Sequence, residues 1–348
     1  MAQNATLQTV PPAAASDPDP ALWTGRDFPV PRSWVRTLSP AMVAEIESAL
    51  REALKRNLPF WKVERRDFPL PQTAPLLAGA HDDLEDGRGF AVLAGWPVDR
   101  FSFEENRMAY ALIGAHFGTN VVQNGAGERL IEVTNKDKPY NEKSRGYHSD
   151  AYLPFHTDAT KGEAQPVHIV GLMCLETAES GGLSAIASAA SLHRTVAEER
   201  PDLLPILERG FRHHRRGQQL PGESPLSVEP IPVFSVFNGA LHCRYNRNPI
   251  NWARKEGEIH TAQDIEALDF VDAVLARPDF PLAMELRKGD MQFIANYAIL
   301  HSRTQYRDAP DRKRLLLRLW LYDRTSRRTT GNLLDRFSSP ASRFQAKD

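Results

Sequence analysis

The chain has 348 residues, 41% hydrophobic and 25% charged, with a formal net charge of −1. That composition supports a packed core, and the balanced charge gives no global basic field that would draw nucleic acid or an anionic membrane. Two cysteines, Cys174 and Cys243, are too few for a disulfide framework and lack zinc spacing; no apolar run approaches the roughly 18 residues of a membrane span, so a cytoplasmic protein is expected.

Residues 1–22 are rich in Ala, Pro, Gln and Asp and lack a basic stretch followed by an apolar one, which predicts a disordered or loosely attached leader. One domain is expected over 23–324, followed by a polar tail over 325–348. Ser39-Pro40 ahead of AMVAEIESALREALKRN gives a cap, a proline at the first helical position and apolar residues at helical spacing. A second helix is predicted from Phe103 to Phe117, stopping at Gly118. A third lies within 189–209 with a break near Pro201, and a fourth follows the capping box Thr261–Asp264.

Short apolar runs at 89–93, 130–133, 167–175, 183–187, 233–237, 291–295 and 315–321, separated by turn residues, predict strands. Asn238-Gly239 between VFSVF and ALHCRY marks a hairpin. Many short strands with helices outside them predict a mainly β fold with helical additions, an antiparallel sandwich or jelly roll. The run His213–Arg216 reads as a solvated face, His168 and His242 as core or edge histidines, and Trp61, Trp96 and Trp320 as packing residues. Gly125-Ala126-Gly127 lacks the full phosphate-binding fingerprint.

In extended backbone, residues i and i+2 point the same way, so His156 and Asp158 in LPFHTD can present an imidazole and a carboxylate to one point, two ligands of a facial triad. Alone, such a pair is common on surface loops. His301 lies 145 residues on, after the apolar run MQFIA, where a lone histidine is usually a hydrogen-bonded core residue. Beyond it, Arg314, Leu316 and Arg318 share one face of a strand. Arginines there must meet solvent, acidic side chains or a bound anion, and a guanidinium fork suits a carboxylate.

H-x-D, a distant N-x-x-x-L-H-x-R and R-x-L-x-R-x-W-L together resemble the taurine and 2,4-dichlorophenoxyacetate dioxygenase (TauD/TfdA) family of Fe(II)/2-oxoglutarate-dependent oxygenases, over residues 89–322. The resemblance implies a double-stranded β-helix, the cupin-like jelly roll. His156, Asp158 and His301 match its iron ligands, and Arg314 matches the arginine on the distal carboxylate of 2-oxoglutarate. Ser184 falls where the family often has Thr as a second partner of that carboxylate. Arg318 falls where taurine-type members bind sulfonate, and Tyr152 falls at a substrate-lining position. The implied reaction uses O2, converts 2-oxoglutarate to succinate and CO2, and oxidises, usually by hydroxylation, an unactivated C–H of a small substrate. With Asp158 in place, halogenation is not expected.

Arg318, Arg303 and Arg244 hint at a carboxylated or sulfonated substrate, and the charged segment 134–152 is expected to border the site. A homo-oligomer is left open. Two other readings compete: a jelly-roll protein that binds metal or anion without turnover, and a zinc hydrolase on the same ligands.

Overall fold

The computed structural model describes residues 19–326, apart from 139, 142–143, 160–166, 218, 220–221 and 238. Most of the expected leader and tail therefore lies outside the described residues. Of the rest, Asp19–Leu22 form a turn, and the Ala21 carbonyl accepts a hydrogen bond from Ser188 Oγ.

The first third of the chain runs β1 (Val35–Thr37), α1 (Pro40–Lys55), α2 (Ala74–Glu85), β2 (Phe90–Ala94), α3 (Phe103–Gly114), β3 (Thr119–Asn120) and β4 (Leu130–Val133). The middle contains β5 (Leu153–His156), β6 (Ile169–Glu176), β7 (Ser180–Gly181), β8 (Ser184–Ser188), α4 (Ala189–Glu199) and α5 (Leu204–Arg209). The hairpin β9 (Phe234–Phe237) and β10 (Ala240–Cys243) follows, then α6 (Arg247–Ala253) and α7 (Ala262–Leu275). The last strands are β11 (Leu282–Met284), β12 (Met291–Ala295), β13 (Ile299–Arg303), β14 (Tyr306–Arg307) and β15 (Leu315–Tyr322).

The caps form as the sequence dictates. Ser39 Oγ accepts from the Met42 N–H, and reciprocal capping boxes join Ser102 to Glu105 and Thr261 to Asp264. Helix α3 stops at Gly114 rather than Phe117. A Cβ at Gly118 would sit 2.8 Å from the Tyr322 carbonyl oxygen, so the chain leaves the helix axis early to pair β3 with β15. Helix α2, unpredicted, buries Leu77, Ala80 and Leu84 at helical spacing, a pattern masked in the sequence by Pro75 and Gly79.

A seven-stranded sheet has the order β1-β2-β12-β6-β15-β3, with β4 also on β15; a four-stranded sheet has the order β11-β8-β13-β5. All pairings are antiparallel except β1 with β2. The period of two in β15 sorts its side chains. Leu317, Leu319 and Leu321 pack outward on α1, α2 and α3, whereas Leu316 and Trp320 face the second sheet with Val170, Ile294, Ile186 and Ile299. Helices α4, α5 and α7 cover the outer face of the four-stranded sheet through Ala187 and Leu300. The sheets thus lie face to face between two helical layers. Both cysteines are buried and free, and no helix among the described residues is long and apolar enough to cross a membrane.

Two expectations need correction. His213 and His214 are not on a solvated face: both are buried. Bridges Phe211↔Ile231 and His214↔Leu226 draw the run inward, and its charges meet protein partners. Glu223 lies 3.0 Å from Arg215, Glu256 lies 3.4 Å from His214, and the Arg216 guanidinium stacks on Trp252. Trp61, read as a packing residue, is exposed and only meets Phe60 edge-on at 5.1 Å; Trp96 is buried and donates to Asn106 Oδ1.

Candidate metal centre

Strand register brings the two histidines together. His156 ends β5 and pairs across β13 with His301, so the rings meet with centroids 4.3 Å apart. The MQFIA run leads to His301 by changing sheets: β12 belongs to the larger sheet and β13 to the smaller. The turn between them supplies Asn296, which is wholly buried. Asn296 Oδ1 accepts from the Asp158 N–H at 2.8 Å, and its Nδ2 donates to the carbonyls of Asp158 and Val167 at 3.0 and 3.1 Å. Thr157 is tied to Tyr245 through both backbone and side chain. Asp158, two residues past the strand, is therefore fixed by its backbone.

The side chains face one another. His156 Nδ1 lies 2.8 Å from the Pro154 carbonyl, a partner that assigns the proton to Nδ1 and leaves the Nε2 lone pair outward. Asp158 Oδ1 is 3.6 Å from His156 Nε2 and 3.9 Å from His301 Nε2. One ligand atom from each of the three lies within 4.8 Å of the others. Asp158 Oδ2 is turned away, accepting from Trp320 Nε1 at 2.7 Å and Arg318 Nη1 at 3.3 Å. Burial favours the protonated acid, but the Arg318 charge, the His156 contact and the two imidazoles outweigh it and hold the carboxyl well below the usual range. Burial, with the neighbouring His156, lowers His301 to about 3, so its imidazole is neutral. Two imidazoles and one carboxylate on one side of a point suit a non-haem ferrous ion with open positions.

Two cavities meet at these ligands and share Tyr147, Leu153, His156 and Arg318. The inner one is also lined by His301, Ser184, Arg303, Arg314, Leu172 and Leu316. Register explains the grouping: Arg303 on β13 stands opposite Ser184 on one side and Leu153 on the other. Arg314 is buried, and among the described residues its Nη1 has no hydrogen-bond partner; Arg303 likewise leaves Nε and Nη1 unpartnered there. Burial lowers Arg314, and burial together with the Arg314 charge lowers Arg303 to about 10. Buried donors without an acceptor are costly, and a carboxylate entering this cavity would satisfy them. Gly182, at φ +70°, permits the fit, since a Cβ there would lie 2.9 Å from Arg314 Nε.

The outer cavity is lined by Tyr140, Arg145, Arg216, Asn246 and Gln123 in addition to His156 and Asp158. Segment 134–152 thus borders the site, as expected. Tyr152 itself lines neither cavity and is half exposed. Sequence reasoning missed three contributors: Trp320 and Asn296, both inside the motifs that carry the resemblance, and Gln123, whose Oε1 accepts from Arg318 Nε at 2.9 Å. Trp320 is more than a packing residue because its N–H holds the Asp158 carboxylate.

A sequence profile described as taurine catabolism dioxygenase TauD, TfdA family matches residues 52–320. FR-33289 synthase of Streptomyces rubellomurinus is 32% identical over 315 residues, covering 86% of this chain and 88% of that protein. The taurine hydroxylase-like protein SAT17 of Stachybotrys chartarum is 29% identical, covering 86% and 78%. Among solved structures, an asparagine oxygenase in complex with Fe(II), 3-hydroxyasparagine and succinate shares the fold, with a TM-score of 0.63 at 17% identity, covering 83% of this chain and 93% of that one.

Proposed function

The chain belongs to the taurine catabolism dioxygenase TauD, TfdA family, and on that premise we propose that it is an Fe(II)- and 2-oxoglutarate-dependent oxygenase that hydroxylates an unactivated C–H bond of a small anionic substrate. In this reading residues 23–324 form one oxygenase domain, and its two facing sheets are the walls of a double-stranded β-helix. The observation that carries the proposal is the meeting of His156, Asp158 and His301 within 4.8 Å at the junction of two cavities.

Ferrous iron with 2-oxoglutarate and O2 supplies the oxidising chemistry, 2-oxoglutarate leaving as succinate and CO2. The protein supplies position and charge. His156 Nε2, His301 Nε2 and Asp158 Oδ1 would hold the ion. Trp320 and Arg318 keep Oδ2 occupied, so the carboxylate offers one oxygen only. Arg314 and Ser184 would take the distal carboxylate of 2-oxoglutarate, with the apolar walls Leu172 and Leu316 excluding water around it. Arg318 would then act on Asp158 and close the floor of the outer cavity, where the substrate sits.

The test is anaerobic addition of Fe(II) and 2-oxoglutarate, with a weak visible charge-transfer band expected. Asp158→Ala should lose the band and O2-dependent succinate release while unfolding cooperatively. A folded wild-type protein without the band points to a binder without turnover. Turnover that ignores O2 points to a zinc hydrolase.

A further inference from the structure

Arg318, which falls where taurine-type members bind sulfonate, turns its charge on the Asp158 carboxylate instead. Its Nη1 meets Asp158 Oδ2 at 3.3 Å, and its guanidinium lies 4.9 and 4.7 Å from the ring centroids of Tyr147 and Trp320. At that distance the contact is long for a charge-assisted bond, and alone it is a weak hold on a side chain with about 2 kcal/mol of rotamer entropy to lose. Arg318 also lines both cavities, so a guanidinium released from Asp158 has room on either side. A second grip is needed.

Gln123 supplies it. Strands β3 and β4 both pair with β15, and the segment 121–129 between them is tied down at both ends: the Val121 N–H donates to the Trp320 carbonyl at 3.0 Å, and the Gln123 N–H to the Glu128 carbonyl at 2.7 Å. The Gln123 side chain that results is buried, with the residue 4% exposed. Its Nε2 donates to the Arg129 carbonyl at 3.0 Å and to the Arg318 carbonyl at 2.8 Å, while its Oε1 accepts from Arg318 Nε at 2.9 Å. The two carbonyls settle which end of the amide is which, because only the amino group can donate to both. One side chain thus holds Arg318 twice, at its main chain and at its guanidinium.

Guanidinium geometry transmits the grip. Nε lies in the rigid plane of the fork, so fixing Nε fixes the direction of Nη1. Trp320, two residues along β15, meets Asp158 Oδ2 from the same face of the strand. Oδ2 therefore has two donors from one strand, and the aim of the second is set by Gln123.

We infer that Gln123 is a positioning residue of the metal centre: it locks the Arg318 guanidinium onto Asp158 Oδ2, keeps Oδ1 turned toward His156 and His301, and keeps Arg318 out of the substrate cavity. The inference rests on the reading of those three residues as the ligands of Fe(II). It adds that a residue outside the three sequence motifs sets the direction of the carboxylate.

The test is a double-mutant cycle on Fe(II) affinity, measured by anaerobic titration of the metal-free protein, with Gln123→Leu and Arg318→Met as the two substitutions. Gln123→Leu should weaken Fe(II) binding about tenfold, the low end for loss of a supporting partner. In the Arg318→Met background the same substitution should change Fe(II) affinity by less than about twofold, because the group it positions is gone. A merely structural role would give the full loss in both backgrounds. Equal loss in both therefore overturns the inference, as does affinity within about twofold of wild type in a folded Gln123→Leu. If Gln123→Leu does not fold, Gln123→Asn, whose amide is one methylene short of Arg318 Nε, takes its place in the cycle. Wild-type protein that binds no Fe(II) sinks the metal centre and this inference together. Fe(II) binding without the 2-oxoglutarate charge-transfer band sinks the oxygenase reading alone, and the cycle still decides the role of Gln123.

Discussion

Trp320 Nε1 donates to Asp158 Oδ2 at 2.7 Å while Asp158 Oδ1 faces the two histidines. Trp320 lies on β15 of the larger sheet, whereas His156 and His301 lie on paired strands of the smaller one. One sheet therefore carries the two histidines, and the other aims the carboxylate. Trp320→Phe keeps most of the packing and removes the bond. A hydrogen bond to a charged group contributes about 1.5–3 kcal/mol, and loss of such a supporting partner lowers metal affinity about 10–100-fold. Fe(II) titration should show that loss, with the metal-free protein melting only a few degrees lower. Wild-type affinity in the Phe variant would reduce the indole to a packing group.

Gly182→Ala tests the inner cavity without replacing a charged residue. The added Cβ meets Arg314 Nε and Cδ at 2.9 and 3.3 Å, and the backbone there is left-handed, so the guanidinium must shift. The 2-oxoglutarate concentration for half-maximal succinate release should rise at least about tenfold, as when a buried charge partner is displaced, with Fe(II) affinity nearly unchanged. Arg314→Ala should show the same split more severely. Parallel loss of metal and 2-oxoglutarate affinity in both would mean that the two sites are one mechanical unit.

Asn296→Leu removes the clamp on Asp158. It leaves the Asp158 N–H and carbonyl and the Val167 carbonyl buried without that partner. Unsatisfied buried groups cost about 1–3 kcal/mol each; denaturant unfolding should therefore show a loss of at least about 3 kcal/mol, accompanied by weaker Fe(II) binding. A loss below about 1 kcal/mol would show that the turn between β12 and β13 holds itself.

The strands were legible where apolar runs were uninterrupted: 130–133 and 291–295 are reproduced residue for residue in β4 and β12. Helix α2 and strand β1 were not, because Pro75 and Gly79 obscure the first and three residues carry no period for the second. The meeting of His156, Asp158 and His301 could be read because motif spacing and family resemblance point to the same three residues. Its support was harder to read. That Trp320 reaches Asp158, and that Arg318 serves Asp158 rather than open solvent, depends on how the two sheets face each other, which no local pattern encodes. The burial of His213 likewise follows from long-range bridges that override the polarity of its own segment.

Outside the site, His81 Nε2 and Asp323 Oδ2 lie 2.7 Å apart and tie α2 to the end of β15. The hydrogen bond to Asp323 raises His81 above 6.5, burial opposing it, while Asp323 is lowered below 3.8 because bonds from His81 and Thr325 outweigh its own burial. The raised imidazole contributes stability that is complete below its unfolded value and disappears as pH climbs through the folded one. The lowered carboxyl contributes stability present above its unfolded value and lost on acidification. The pair therefore stabilises most between the two unfolded values. With His81 partly exposed, its effect should stay below about 1 kcal/mol. Melting of the wild type and His81→Gln should differ more at about pH 5.5 than at about pH 8.5, on either side of the ordinary histidine pKa; a gap that is constant with pH would remove the pair from the account of stability.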